Sequence, residues 1–106
     1  MTYQALPEFI TVKDSPVAGQ GLFATEDIPE GVDLGISHVV VDDSIMRTPL
    51  GGFVNHSETP NCVKVEEDQE WGKIYYMRTI KDIMCGEELF LKYTFYSVIE
   101  EEMWIT

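Results

Sequence analysis

Basic residues are scarce in this chain, whose 106 residues include 7 Lys and Arg against 19 Asp and Glu, for a formal net charge of −12. A surface this acidic repels the phosphates of nucleic acids, so direct binding of DNA or RNA is not expected. It would instead attract basic partners such as lysine-rich protein segments. The same acidity can serve solubility alone, and the composition leaves these two interpretations open.

Cysteine, histidine and long apolar runs are also in short supply. The two cysteines, Cys62 and Cys85, make neither a disulfide framework nor a zinc-ligand pattern, and with two histidines in the chain we expect no metal site. No apolar stretch approaches the roughly 20 residues that a membrane-spanning helix needs. The N-terminal residues Met-Thr-Tyr-Gln have no feature of a signal peptide. We expect a soluble intracellular protein, cytoplasmic or, in a eukaryotic host, nuclear, with no membrane partner.

What the chain does contain is a set of short segments rich in β-branched and aromatic residues, which is typical of strands. With 44% hydrophobic and 25% charged residues, the composition fits one globular domain over residues 1–106. Two turns, 26–31 and 81–86, are built alike around an isoleucine and end in glycine. Ile99 and Met103, four residues apart, indicate one or two helical turns near the C-terminus. We predict a mainly β domain with strands over 9–13, 22–25, 32–41, 62–66, 73–79 and 88–93, and a polar connection over 42–50.

Turn-forming residues are concentrated between Gly51 and Asn61, in the run Gly-Gly-Phe-Val-Asn-His-Ser-Glu-Thr-Pro-Asn. Glycine permits close backbone approaches, Asn, His and Ser supply hydrogen-bonding groups, and Pro60 disfavours a helix before it. Such a run is either an elaborate surface turn or a polar site between apolar segments, and residue types alone favour the turn. His56 taken alone is likewise more typical of a satisfied core or turn histidine.

Two further patterns are weak when each is taken singly. Residues 19–24 fit the dinucleotide-binding spacing G-x-G-x-x-A, but Pro29 and the β-rich sequence after it leave no room for the helix that this motif requires. Tyr93 ends an apolar strand, a position where a tyrosine is usually half-buried with its hydroxyl bonded. Neither pattern establishes a site without the others.

Taken together and in order, these motifs resemble the SET domain family. The motifs that carry the resemblance are Gly19-Gln20-Gly21-Leu22-Phe23-Ala24, Ile28-x-x-Gly31, Phe53-Val54-Asn55-His56-Ser57-x-x-Pro60-Asn61 and Ile80-x-x-Ile83-x-x-Gly86-Glu87-Glu88-Leu89-x-x-x-Tyr93. They span about Ile10 to Tyr93 and leave residues 94–106 as a C-terminal tail. The resemblance implies a SET-like β-clip fold of several small twisted sheets, with little helix and a knot-like C-terminal segment.

The resemblance also implies a protein lysine methyltransferase that uses S-adenosylmethionine, releases S-adenosylhomocysteine and needs no metal. Tyr93 would be the catalytic residue beside the transferred methyl group. Phe53 and Leu91 would line the channel for the substrate lysine. The residues that bind or cover the cofactor, partly through their backbone, would be Gly19, Gln20, Gly21, Leu22, Asn55, His56, Phe95 and Tyr96.

The sequence departs from the family pattern before the Asn-His-Ser motif. Family members usually carry several dozen residues there, which shape one wall of the substrate groove, whereas this chain has only residues 41–52. We therefore keep two hypotheses: a minimal methyltransferase acting on basic, lysine-rich, histone-like proteins or peptides, and a non-catalytic binding module that grips a basic partner through its acidic surface. The missing wall also leads us to expect a homodimer that covers exposed apolar surface.

Overall fold

Two four-stranded sheets make up the molecule in a computed structural model that describes residues 6–42 and 44–92. The elements are β1 (Ile10–Asp14), β2 (Gln20–Ala24), β3 (Asp33–Val41), β4 (Ser44–Arg47), α1 (Pro49–Phe53), β5 (Asn55–His56), β6 (Cys62–Gln69), β7 (Gly72–Thr79) and β8 (Glu88–Leu91). The strand orders are β1-β2-β8-β5 and β4-β3-β7-β6, and the pairing is antiparallel except between β5 and β8. Within the described residues, no helix is long and apolar enough to cross a membrane.

This architecture confirms the predicted fold class, a mainly β domain of small sheets with little helix. The knot-like segment, the helical turns of the tail and the end of the last predicted strand fall on residues 93–106, which lie outside the described residues. Within the described chain, every predicted strand is present, with ends that differ by a few residues.

The apolar core takes side chains from both sheets and from the helix. Leu22 and Leu89 come from the first sheet, Met77 from the second and Leu50 from α1, and each is at most 2% exposed. Fully burying a side chain of this size stabilises the fold by roughly 1.5–3 kcal/mol. Because successive strand residues point to opposite faces, a register slip of one residue would expose these side chains, so the core fixes the pairing of both sheets.

Bulges in β3 bring two consecutive polar residues into this core. The register between β3 and β7 shifts twice between Asp33 and His38. A bulge sets two residues of one strand opposite one of its neighbour, and Ser37 and His38 are accordingly both buried, at 0% and 1% exposure. Ser37 Oγ donates to the carbonyl oxygen of Tyr75 at 3.1 Å and lies 2.9 Å from His38 Nδ1. These contacts offset the cost of burying polar groups.

The two similar turns, 26–31 and 81–86, bind each other through reciprocal contacts, and we call this pair of turns the clasp. Ile28 and Ile83 form an isolated antiparallel bridge, with N–H to carbonyl distances of 2.7 and 2.8 Å. An aspartate from each turn accepts a hydrogen bond from a backbone amide of the other turn. The reciprocal contacts are Asp27 Oδ1 with the amide of Cys85 and Asp82 Oδ1 with the amide of Glu30, both at 2.8 Å. The clasp therefore joins the end of β2 to the chain between β7 and β8.

The prediction of a polar connection over residues 42–50 was wrong, because this segment contains β4 and the start of α1. β4 is a short strand at the edge of the sheet, where it pairs with β3. Its four residues do not alternate between apolar and polar, so this part of the sequence shows no strand pattern. Thr48 caps α1, its Oγ1 accepting from the amide of Gly51 at 3.4 Å, and Pro49 occupies the first helical turn. The pair Thr48-Pro49 was therefore the sequence feature that could have predicted the start of this helix.

Two adjacent glycines in α1 provide a matched test of packing. A Cβ at Gly51 would collide with the carbonyl oxygen of Ser37, whereas the Cβ position of Gly52 has open space around it. We expect Gly51→Ala to lower the free energy of unfolding by about 1–3 kcal/mol. Gly52→Ala should leave it unchanged or raise it by about 0.5–1 kcal/mol, because alanine is the better helix former. Urea unfolding of both variants measures this difference, and equal effects would contradict the described packing.

Stability should also depend on pH through His38. Burial, followed by the charges of Lys64 and Arg47, lowers the pKa of His38 from 6.5 to about 4. Between these values the unfolded chain binds a proton that the folded chain does not, so the fold loses stability as the pH falls. We expect the protonation of His38 to lower the free energy of unfolding by up to about 3 kcal/mol between pH 7 and pH 4. Urea unfolding across this range should show a smaller loss for His38→Gln, and an identical loss would refute this assignment.

Candidate functional site

The candidate site is assembled around the carboxylate of Glu88, the first residue of β8, which is 8% exposed. Ser15 Oγ, from the loop after β1, lies 2.8 Å from Glu88 Oε1 and 2.9 Å from Oε2. The side-chain amide of Asn55 donates to Glu88 Oε2 at 2.8 Å. A buried carboxylate is costly unless it is hydrogen-bonded, and these donors meet that requirement.

Asn55 also fixes the loop that carries the first glycine motif. Its Nδ2 lies 3.1 Å from the carbonyl oxygen of Ala18 and 3.3 Å from that of Gln20, in addition to Glu88. The amide of Ser15 closes the same loop on the Gly19 carbonyl at 2.8 Å. The side-chain nitrogen of Asn55 is thus occupied within the protein, and any ligand contact from this residue would use its other polar groups.

Gly21 has a packing reason to be glycine. A Cβ at this position would collide with Glu88 Oε2 and lie 3.0 Å from Asn55 Nδ2. Gly19 differs, since it has a φ of +48° and nothing within 4 Å of its Cβ position. The two glycines of the motif therefore serve different needs, close approach at Gly21 and a left-handed turn at Gly19.

Asn61, at the end of the Asn-His-Ser motif, binds the backbone of β8 as a neighbouring strand would. Its Nδ2 donates to the Glu88 carbonyl at 2.9 Å, and its Oδ1 accepts from the Phe90 amide at 2.7 Å. Sequence reasoning assigned no role to Asn61, Glu88 or Ser15. The first two stand in motifs quoted above, which was the available signal, whereas no pattern marked Ser15.

The Asn-His-Ser motif lies alongside the strand that leads to Tyr93. β5 is parallel to β8, with Asn55 paired with Phe90 and His56 with Leu91. The amide of the next residue, Ser57, donates to the Leu91 carbonyl at 2.9 Å. Parallel pairing of segments 35 residues apart brings the middle of the sequence to the end of the described chain.

An exposed hydrogen-bonded group of three side chains, His56, Glu58 and Lys92, borders the site. Glu58 lies 3.1 Å from His56 Nε2 through Oε1 and 3.4 Å from Lys92 Nζ through Oε2. The hydrogen bond from His56, followed by that from Lys92, lowers the pKa of the Glu58 carboxyl. Lys92 is the last described residue and directly precedes Tyr93 in the sequence, so this group links the Asn-His-Ser motif to the end of the described chain.

The predicted site residues divide into three groups by location. Gly19, Gln20, Gly21, Asn55 and His56 are brought together at the loop and strand just described, and Leu22 lies next to them but is buried in the core. The predicted channel residues differ in exposure, Phe53 being 38% exposed at the end of α1 and Leu91 1% exposed within the core. Tyr93, Phe95 and Tyr96 lie outside the described residues.

The donor set at the site suits an organic cation better than a metal ion. Ala18, Gly19 and Gln20 are exposed beside Asn55, next to the buried carboxylate of Glu88. Their carbonyl oxygens already accept from Asn55 Nδ2 or from the Ser15 amide, so each has its second lone pair left for a ligand. These groups fit the ammonium and sulfonium of S-adenosylmethionine. Over residues 6–42 and 44–92, no three His, Cys, Asp or Glu side chains are grouped closely enough to hold a metal ion.

Comparisons with known proteins find similar sequences and folds in one family. The family model described as the SET domain matches residues 33–94. No curated protein sequence matches the chain. A crystal structure of a Plasmodium falciparum protein, provisionally named a histone methyltransferase, has a TM-score of 0.70 and 17% identity, covering 82% of this chain and 94% of that chain.

Two structures of Polycomb Repressive Complex 2 from Chaetomium thermophilum, both humanized mutants bound to inhibitors, are also similar. Their TM-scores are 0.65 and 0.62, each with 24% identity and 79% coverage of this chain. This chain spans only 14% and 15% of those chains. At these identities the structural likeness shows the fold, whereas the family match covers more than half of the chain. The chain belongs to the SET domain family.

Proposed function

We propose that this chain is a protein lysine methyltransferase that uses S-adenosylmethionine and acts on basic, lysine-rich proteins or peptides. Membership of the SET domain family supports lysine methyl transfer in general. The observation that carries the finer proposal is the junction at Glu88, which brings the loop of Gly19 and the Asn55-His56 strand to the start of β8. In this proposal residues 10–93 form the catalytic core of a single domain, and 94–106 are its tail.

The cofactor would lie on the exposed backbone of residues 18–20 and against Asn55 and His56. Asn55 holds this loop in place through its side chain, so its own carbonyl and the neighbouring main chain would contact the ligand. Leu22 would support the site from the core, and Phe95 and Tyr96 would cover it. When bound, S-adenosylmethionine supplies a methyl group on a sulfonium sulfur, and transfer of this group leaves S-adenosylhomocysteine.

Tyr93 would orient the substrate amine toward the methyl group. Methyl transfer to an amine is an in-line displacement, so the protein must align two atoms and exclude water rather than supply a nucleophile of its own. The amine must also be neutral, and a nearby positive charge lowers the pKa of a lysine. A tyrosine hydroxyl next to backbone carbonyls can accept hydrogen bonds from this amine and hold its lone pair in line.

The acidity of the chain favours a basic substrate. A net charge of −12 raises the local concentration of cationic segments and speeds their encounter with the protein. Phe53, exposed at the end of α1, would offer an apolar surface to the stem of the substrate lysine. Leu91 is buried, so it would shape the channel through the residues that pack on it rather than by direct contact.

The second candidate is a non-catalytic module that keeps the fold and binds a basic partner. The observation that favours it is the short connection between β3 and β5, in which the described residues form no element beyond β4 and the five residues of α1. This segment leaves little material for a wall of the substrate groove. Incubation with labelled S-adenosylmethionine and a panel of basic proteins distinguishes the candidates, because only the enzyme transfers label.

Cofactor binding is testable by thermal unfolding with S-adenosylhomocysteine. A ligand that binds only the folded state stabilises it by about 2.7 kcal/mol at a hundredfold excess over its dissociation constant. We expect the wild-type melting temperature to rise and Asn55→Ala to lose this rise, because the loop at 18–20 is released. Ser15→Ala is the comparison variant: it also removes a partner of Glu88 and the acceptor of the Val17 and Ala18 amides, but it leaves the Ala18 and Gln20 carbonyls bonded to Asn55, so it should keep more of the rise than Asn55→Ala. No rise in the wild type at millimolar ligand would remove the methyltransferase proposal.

The role of Tyr93 is testable by removing its hydroxyl. We expect Tyr93→Phe to lower turnover by a hundred- to a thousandfold, because one positioned polar contact in a transition state contributes on the order of 2.7–4 kcal/mol. Its melting temperature and cofactor affinity should stay close to wild type, since the ring is kept. Tyr75→Phe is the control, because the Tyr75 hydroxyl donates to Glu66 within the sheet β4-β3-β7-β6, away from Glu88, and its loss should spare turnover. A Tyr93→Phe variant that melts early yet keeps its specific activity would show a structural residue instead.

A further inference from the structure

Glu88 carries a buried negative charge whose side-chain donors in the described chain are neutral. Its carboxylate accepts from the Ser15 hydroxyl and from the side-chain amide of Asn55, and the residue is 8% exposed. A carboxylate is rarely buried in a protein without an opposite charge, from a basic side chain or a metal ion, beside it. The hydrogen bonds at Glu88 therefore satisfy its oxygens without neutralising its charge.

The basic side chains do not supply this opposite charge. All 7 Lys and Arg and both His fall within residues 6–42 and 44–92, and none of them forms an ion pair with Glu88 there. Lys13 lies on the same face of the first sheet, but its ammonium is placed over the Phe23 ring, 5.0 Å from the ring centroid. Asp14, which follows Lys13, is exposed and adds negative charge beside Ser15. The surroundings of Glu88 thus favour a cation from outside the chain.

The carboxylate lies next to the loop that the proposed cofactor would contact. A Cβ at Gly21 would collide with Glu88 Oε2. Asn55 Nδ2 lies 2.8 Å from the same oxygen and 3.1 Å from the carbonyl oxygen of the exposed residue Ala18. One amide nitrogen thus separates the buried charge from the surface of the loop. A ligand cation in contact with the Ala18 carbonyl would lie within roughly 9 Å of the carboxylate, three hydrogen-bond lengths away.

We propose that Glu88 is a specificity-determining residue, whose charge makes the site prefer S-adenosylmethionine over S-adenosylhomocysteine. These two ligands differ by one methyl group and by the positive charge of the sulfonium. Two unit charges about 9–12 Å apart, at an effective dielectric constant of about 20, change an affinity by roughly ten- to twentyfold. This inference rests on the proposed function and names the residue that gives the cofactor site its charge preference.

Such a preference would assist turnover. Methyl transfer breaks the carbon–sulfur bond, whose electron pair stays on sulfur, and forms a carbon–nitrogen bond with the lone pair of the neutral lysine amine. The positive charge passes in this step from the sulfur to the methylated lysine. Glu88 then attracts the bound product less strongly than it attracted the cofactor, which favours the exchange of product for new cofactor.

The ratio of the dissociation constants of the two ligands, measured by isothermal titration calorimetry, tests this role. Glu88→Gln keeps the shape of the side chain and an acceptor for Asn55, and the Ser15 hydroxyl can turn to accept from the new amide. We expect this variant to lower the preference for S-adenosylmethionine about tenfold. A Glu88 that only holds the loop would affect both ligands alike and leave the ratio unchanged. The control Glu87→Gln removes the same charge from the exposed neighbouring residue and should keep the wild-type ratio.

Adding a cation beside Glu88 gives a second test, which decides the proposal if Glu88→Gln does not fold. Ser15→Lys places an ammonium next to the carboxylate and should lower the ratio to a similar extent. Val17→Lys adds the same charge to the same loop at a side chain that is 59% exposed, and it should keep the wild-type ratio. An unchanged ratio in the test variant, or an equal fall in its control, overturns the inference. A wild type that binds neither ligand instead removes the proposed function, and this inference with it.

Discussion

The buried carboxylate of Glu88 is the constraint on which the candidate site depends. It receives hydrogen bonds from Ser15 and Asn55, which lie 73 and 33 residues away in the sequence. Removing either donor leaves a buried charge with an unmet hydrogen bond, a loss that commonly costs more than the bond itself contributes. Because a Cβ at Gly21 would collide with the same carboxylate, four distant positions are coupled to one another. The glycine motif, the Asn-His-Ser motif and the last strand thus form one unit.

Much of the fold follows from local sequence because its strands carry local signals. Segments such as β6 and β7 alternate between apolar and polar residues or are rich in β-branched and aromatic ones, and both were predicted. β4 was missed because its four residues carry no periodic pattern and form a strand only by pairing with β3. Position along the sequence could not reveal the bulges in β3 either, since they depend on which residues β7 places opposite them.

The candidate site was predictable as a set of residues but not as a set of contacts. The motif resemblance selected Asn55 and Gly21, yet the reason for both is their closeness to Glu88, which depends on the pairing of β8 with β5 for Asn55 and with β2 for Gly21. Leu91 shows what the motif alone does not reveal: the resemblance assigned this position to the substrate channel, and in the fold its side chain is buried in the core. Motif order identifies which residues converge, and tertiary packing decides which of their atoms remain available to a ligand.

The strand order of the first sheet also has a consequence for how the chain folds. β8 is the last strand in sequence among those described, yet it lies between β2 and β5. On a ribosome, β3, β4, β6 and β7 can pair before β8 emerges, whereas β2 and β5 must wait for it with open edges. Long-range pairing of this kind slows folding and leaves strand edges exposed in the meantime. The second sheet can therefore form while the first, which carries the junction at Glu88, is completed only when the end of the described chain has been synthesised.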